Sequence, residues 1–165
     1  MTDAIVRSAS EVDAEAIAHI YNYYVHNTVV TFEDEPVSVQ AMAARIAEVQ
    51  GLFLPWLVAE VENEVVGYAY ANRWKVRNAY RYSVETTVYL EHGREGGGIG
   101  ASLYSALLPI LRAGGMHVAI GGAALPNEAS AALHAKLGFE YVATFRQVGF
   151  KHNRWVDVAY WQLVL

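Results

Sequence analysis

Residues 83–104, SVETTVYLEHGREGGGIGASLY, limit what this chain can fold into more than any other stretch. SVETTVYL interleaves β-branched and aromatic residues with polar ones, the composition of a half-buried strand. EHGREGGGIG carries five glycines and several charges, and cannot continue that strand. ASLYSALLPILRA then sets Leu103, Leu107, Leu108 and Leu111 on one helical face. A glycine turn that opens a helix leaves backbone N–H groups unpaired at the positive end of the helix dipole. Such a turn is an anion site, and a phosphate suits it.

Several guests can be tested against the turn. A Walker A loop needs Lys and then Ser or Thr after its last glycine, whereas Gly100 is followed by Ala101 and Ser102. Gly96, Gly98 and Ala101 formally satisfy a dinucleotide fingerprint. That fingerprint needs an acidic residue about 20 residues on, and the next strand, MHVAIGG, has none. A coenzyme A pyrophosphate loop and a helix start that binds nothing both remain.

At 165 residues the chain has the length of one domain, residues 1–165. Hydrophobic residues make up 54%, ample for a core. The net charge of −5 and the lack of a Lys/Arg run argue against a nucleic-acid partner. With no cysteine there is neither a disulfide nor a thiol nucleophile, as suits a reducing compartment. No apolar run approaches the ~20 residues of a membrane span, and MTDAIVRS does not read as a signal peptide. Six scattered histidines make no metal site. The expected location is the cytoplasm, with a small molecule as partner.

In order, Ala4–Ser8 reads as a strand. Ser10 caps a helix with Asp13 as its capping-box partner, and Val12, Ile17, Ile20 and Tyr24 belong to the apolar face. Val29–Phe32 is extended up to Pro36, and Ser38 caps a second helix that stops at Gly51. Leu57–Glu62 and Val65–Tyr70 form a hairpin. NRWKVRNAYRY is the most cationic segment. Met116–Gly121 is a strand parallel to Thr86–Leu90. Asn127 caps a helix to Leu137, and Phe139–Phe145 and Trp155–Leu165 are strands joined by the loop RQVGFKHNR. The expectation is an α/β (α+β) fold: a mixed sheet of about seven strands flanked by about four helices.

This order, with a glycine turn after the fourth strand, resembles the GNAT superfamily of acetyl-CoA-dependent N-acetyltransferases. WKVRNAYRYSVETTVYL, LPNEASAALHAKLGF, GFKHNRWVDVAYWQ and IYNYYVHNTVVTFEDEP resemble the phosphinothricin and methionine sulfoximine/methionine sulfone acetyltransferases in particular. The resemblance implies transfer to the α-amine of a small amino-acid-like substrate in a ternary complex, with acetyl-CoA as co-substrate, no metal and a homodimer in which His152 faces the second subunit. It implies Glu85 as general base and His134 as acid or substrate-orienting group. Acetyl-CoA falls to Val88, Tyr89, Leu90, the turn Gly96, Gly97, Gly98, Ile99, Gly100 and Ala101, and Asn127 and Ser130. A backbone N–H near Tyr89–Leu90 would hold the oxyanion. Phe32, Lys75, Arg77, Tyr80, Thr87 and Tyr104 fall to the substrate, with Lys75 and Arg77 facing an anionic head group. Tyr104 is a second proton-donor candidate, and its position suits packing as well. The turn departs from the superfamily pattern. Glu95 stands where Gln or Arg is usual, Gly96 where Arg or Lys is common, and Arg94 is a neighbouring cation. Alternation places Glu85, Thr87 and Tyr89 on the strand face opposite Val84, Thr86 and Val88.

Overall fold

A computed structural model describes residues 4–165. The chain runs β1 (Ile5–Ser8), α1 (Ala14–Asn27), α2 (Val39–Gly51), β2 (Trp56–Val61), β3 (Glu64–Arg73) and β4 (Ser83–Leu90). It continues with α3 (Ile99–Ala113), β5 (Val118–Ala124), α4 (Glu128–Lys136), β6 (Glu140–Lys151) and β7 (Arg154–Val164). Short 3-10 turns at Glu11–Asp13 and Asn78–Tyr80 precede α1 and β4. The seven strands form one sheet, ordered β1-β2-β3-β4-β5-β7-β6. Among the described residues only β4 and β5 pair in parallel. The mixed sheet and its four helices are the expected architecture.

Local chemistry accounts for the element ends. The Ser10 amide donates to Asp13 Oδ2 at 2.8 Å, closing the turn that leads into α1. Asp13 also takes a two-point ion pair from Arg7, at 2.8 and 2.9 Å, which ties β1 to that turn. Val12 falls in the 3-10 turn, out of phase with α1, and is 85% exposed, so it leaves the face assigned to it. Ile17, Ile20, Tyr21 and Val25 supply that face. Ser38 Oγ accepts from the Ala41 amide at 3.1 Å and starts α2. The β2–β3 turn, Glu62–Asn63, has both residues at positive φ, the geometry of a two-residue hairpin.

Each face of the sheet is covered. Tyr21 and Tyr24 of α1 pack on Tyr89 of β4, with ring centroids 5.4 and 5.2 Å apart. On the other face the α3 residues Leu103, Tyr104, Leu107 and Leu111 are fully buried, and Tyr104 reaches Thr86 of β4. His134 of α4 stacks on Trp161 of β7 on that same side. The two faces of β4 are therefore as alternation requires.

The last hairpin differs from expectation. RQVGFK is strand, not loop, and the turn narrows to His152–Asn153, both at positive φ. The β6–β7 register shifts between Phe145 and Gly149, and the Gln147 amide donates to Asp157 Oδ1 at 2.7 Å. This bulge breaks the two-residue alternation by which a strand is recognised.

Candidate active site

The parallel pair at the centre of the sheet opens like a V. β4 and β5 are in register from Ser83 with Val118 to Thr86 with Gly121. Beyond that point β4 stays with β3 as far as Leu90, and β5 stays with β7 as far as Ala124. The facing edges of Thr87–Leu90 and Gly122–Ala124 thus lose their sheet partners, and their backbone polar groups need others. The cleft between them measures about 660 Å³, within the ordinary range for a small-molecule site.

The glycine turn forms one end of this cleft. Gly96 and Gly98 hold φ of 81° and 84°, which a side chain would strain. Gly98 is the N-cap of α3 and no side chain caps the helix. Ser102 is the first residue whose amide returns to Gly98 O, so the N–H groups of Ile99, Gly100 and Ala101 have no intrahelical acceptor. Glu95 is turned back on the loop: its Oε2 accepts from the Gly93 amide at 2.8 Å, and its Oε1 lies 3.4 Å from the Tyr24 hydroxyl. The Tyr24 hydroxyl donates to Leu90 O at 2.6 Å at the end of β4.

Glu85 lies on the opposite face of β4 from Thr86, beside Asn72 and Ile120 on the neighbouring strands. Burial raises its carboxyl pKa. Tyr70 and Tyr160 both sense its charge. Tyr160 meets Trp74 and Phe145 edge-on, at 5.7 and 5.5 Å, so aromatic rings border the Glu85 face. A half-buried carboxylate there accepts a proton more readily than an exposed one.

His134 occupies a carbon-lined nest at the point of the V. It is 2% exposed, stacked 5.0 Å from Trp161 and met edge-on by Tyr104 and Phe139. Its Nδ1 lies 2.7 Å from Ser130 O. A carbonyl only accepts, so that bond assigns the proton to Nδ1. Burial lowers the pKa and favours the neutral ring. Nε2 then carries a lone pair, lies over Gly121, and has no protein partner. This tautomer offers an acceptor rather than an acidic proton. The Tyr104 hydroxyl donates to Thr86 Oγ1 at 3.1 Å, and burial pushes its pKa up to about 12.

The cleft gathers most of the residues assigned to acetyl-CoA: Val88, Tyr89, Leu90, Gly96, Gly98, Gly100, Ala101, Asn127 and Ser130. Thr87, Tyr104 and His134 also line it. Asn127 Oδ1 is engaged as the α4 cap, accepting from the Ser130 amide at 3.0 Å. Gly97 is off the lining, and Ile99 points into the core. Glu85, Phe32, Lys75, Arg77 and Tyr80 lie outside the cleft. Lys75 and Arg77 are exposed, with no ion-pair partner among the described residues, and Lys75 Nζ sits 5.6 Å from the Trp74 ring. Sequence reasoning missed Tyr24, Gly121, Gly122 and Tyr160. The Gly121–Gly122 pair inside an apolar strand was the available signal, because it marks a close approach. A Cβ on Gly121 would overlap the His134 ring, and one on Gly122 would come 2.8 Å from Tyr160 Cε1.

Residues 6–160 match the Acetyltransferase (GNAT) domain family. This chain is a GNAT acetyltransferase. Phosphinothricin N-acetyltransferase of Streptomyces viridochromogenes is 41% identical, over 95% of this chain and 85% of its own. L-methionine sulfoximine/L-methionine sulfone acetyltransferase of Salmonella typhimurium is 38% identical, over 97% of this chain and 94% of its own. The crystal structure of a GNAT superfamily phosphinothricin acetyltransferase from Sinorhizobium meliloti, in complex with acetyl-CoA, superposes with a TM-score of 0.96. It is 40% identical and covers 100% of this chain and 89% of its own. The GNAT chain is thus an N-acetyltransferase, and its V-shaped cleft belongs to a fold that holds acetyl-CoA in that relative.

Proposed function

We propose that this GNAT enzyme transfers the acetyl group of acetyl-CoA directly to the α-amine of a small amino-acid-like substrate, with phosphinothricin or a close analogue favoured. The observation that carries this reading is the split between β4 and β5, with the uncapped start of α3 at one end and Glu85 on the far face of the same strand. Acetyl-CoA supplies an activated thioester. The open N–H groups of Ile99, Gly100 and Ala101 suit its pyrophosphate. The unpaired edge of Thr87–Leu90 suits the amide-bearing arm, as a strand edge suits an added strand. A backbone N–H of Tyr89–Leu90 receives the carbonyl oxygen as charge builds on it.

Only a neutral amine attacks, so a base must take a proton from the ammonium. Glu85 fills that role, its affinity for the proton raised by burial. His134, neutral with its lone pair over Gly121, acts as an orienting acceptor in preference to an acid. As the new C–N bond forms the thioester C–S bond breaks, and the CoA thiolate that leaves takes its proton from Tyr104, the O–H donor on the same side, or from solvent. The chain has no cysteine to carry a covalent acetyl-enzyme, which favours direct transfer in a ternary complex. Lys75 and Arg77, exposed and without ion-pair partners among the described residues, are assigned to an anionic head group. The aromatic border of Tyr70, Trp74, Phe145 and Tyr160 favours a second reading, in which the side chain is uncharged, as in methionine sulfoximine, methionine sulfone or another L-amino acid.

The homodimer belongs to this proposal. β6 is an edge strand, and Tyr141, Val148 and Phe150 on it are exposed.

The test is release of CoA thiol from acetyl-CoA, with phosphinothricin and methionine sulfoximine run side by side. The expected result is faster turnover of phosphinothricin, with Arg77→Ala raising its KM more than that of the uncharged amine. Preference for the sulfoximine, with equal effects of Arg77→Ala on both, removes the head-group assignment. Silence with every amine while acetyl-CoA binds overturns the reading.

A further inference from the structure

Lys151 ends β6 and is 2% exposed, although nothing in the chemistry above uses it. A buried ammonium is costly unless it is paired or hydrogen-bonded, so its partner matters. Among the described residues the one side-chain hydrogen bond of Lys151 runs from Nζ to Thr31 O, at 2.8 Å. Among the described residues it has no ion-pair partner. Burial lowers its pKa, and the carboxylates of Asp34 and Glu33 oppose that from farther off.

Two residues back on the same strand face stands Gly149. Any Cβ there would overlap the Phe32 ring. β6 thus offers two features at a two-residue spacing: an absent side chain that admits Phe32, and a long cation that holds the carbonyl of the residue just before it. The rest of the loop is anchored toward the site. The Tyr89 hydroxyl donates to Val30 O at 3.4 Å, and the Tyr21 and Thr31 hydroxyls are 2.6 Å apart. Arg45 grips Glu33 at 2.9 and 2.5 Å. Tyr89 shares its β4 face with Glu85, so the loop spans from that face to β6. The Phe32 ring, 43% exposed, faces solvent at its border.

We propose that Lys151 is a positioning residue for the amine substrate: by holding Thr31 O it seats Phe32 on Gly149 and fixes the α1–α2 loop as one wall of the amine side of the site. The inference rests on the proposed acetyl transfer for its catalytic consequence, and on the geometry alone for the clamp.

The test uses the full chain as wild type, Lys151→Met, Phe32→Ala and the double variant. Amide hydrogen exchange over residues 28–37 should quicken in Lys151→Met while α3 keeps its protection. With an amine that the wild type acetylates, Lys151→Met should raise the amine KM about tenfold and leave kcat and the acetyl-CoA KM within about twofold. In the Phe32→Ala background it should add nothing further, because Lys151 acts through that ring. Loop exchange equal to wild type overturns the clamp. An amine KM effect that adds in full to Phe32→Ala, or an equal rise in both KM values, overturns the positioning role. If the wild type turns over no amine, the proposed function fails, and the exchange result still decides the clamp. Should Lys151→Met not fold, Lys151→Gln, which removes the ammonium and keeps a polar side chain, carries the same expectations.

Discussion

Glu95 stands in the glycine turn before α3 with its carboxylate spent on the loop itself, accepting from the Gly93 amide. It shapes the turn and also places a negative charge beside the proposed pyrophosphate site. The side chain is about half exposed, so solvent screens that charge. Glu95→Gln keeps an acceptor for the amide and removes the charge. Titration calorimetry should show acetyl-CoA binding tightened by up to about fivefold, consistent with under ~1 kcal/mol for an exposed charge. Weaker binding would mean that the carboxylate's hold on the loop matters more than its repulsion. Glu85 carries a stability prediction as well. Its pKa is raised in the folded state, so the ionised form is disfavoured by folding. No penalty exists below the unfolded carboxylate pKa, and the full penalty is present above the folded one. Glu85→Gln should therefore raise Tm at neutral pH, and the gap should close on acidification. A gap independent of pH would contradict the burial. The strand face that carries Glu85 was legible from alternation along SVETTVYL. The neutral state of His134 was not, because it depends on Trp161 arriving 27 residues later to stack on it.

Among the elements, the β4–turn–α3 unit was the most legible. Strand composition, glycines at positive φ and a leucine stripe all agree there, and Leu103, Leu107, Leu108 and Leu111 are all buried. The β6 strand was least legible, because its bulge near Gln147 and the empty side of Gly149 interrupt the alternation. β5 shows the same logic from the other side, since its two glycines exist for contacts with His134 and Tyr160 that lie far away in sequence. Gly121→Ala should cost about 1–3 kcal/mol of stability, as overpacking does. It should also shift the His134 ring signals in NMR spectra. An unfolding curve that matches wild type would show that the nest has slack.

The whole molecule is held across its sheet edge and loop by two carboxylate–arginine clusters. Arg7 joins Asp13 and Glu60, and Arg45 joins Glu33. Hydrogen bonds from the arginines hold Asp13 and Glu33 below the usual carboxylate range. Their stabilisation is present above the unfolded carboxylate pKa and is lost as pH falls through the lower folded values. Denaturant midpoints should therefore fall on acidification, and Asp13→Asn should flatten part of that fall. A midpoint insensitive to acid would contradict the pairing. At this scale the order of elements was readable because each has its own period and caps. The strand order and the V between β4 and β5 were not, since both depend on where register ends, at Thr86 and Gly121. That V is the feature on which the proposed chemistry rests.

The most direct measurement is therefore CoA thiol release by wild type and Glu85→Gln, with one amine, across pH. The chain has no cysteine, so a thiol reagent sees only the product. At neutral pH, Glu85→Gln should lower kcat by about a hundredfold or more with acetyl-CoA binding unchanged. The wild-type rate should fall on acidification through a group titrating above the ordinary carboxylate range. A variant that keeps wild-type kcat, or an acid limb shared unchanged by both proteins, would contradict Glu85 as the base.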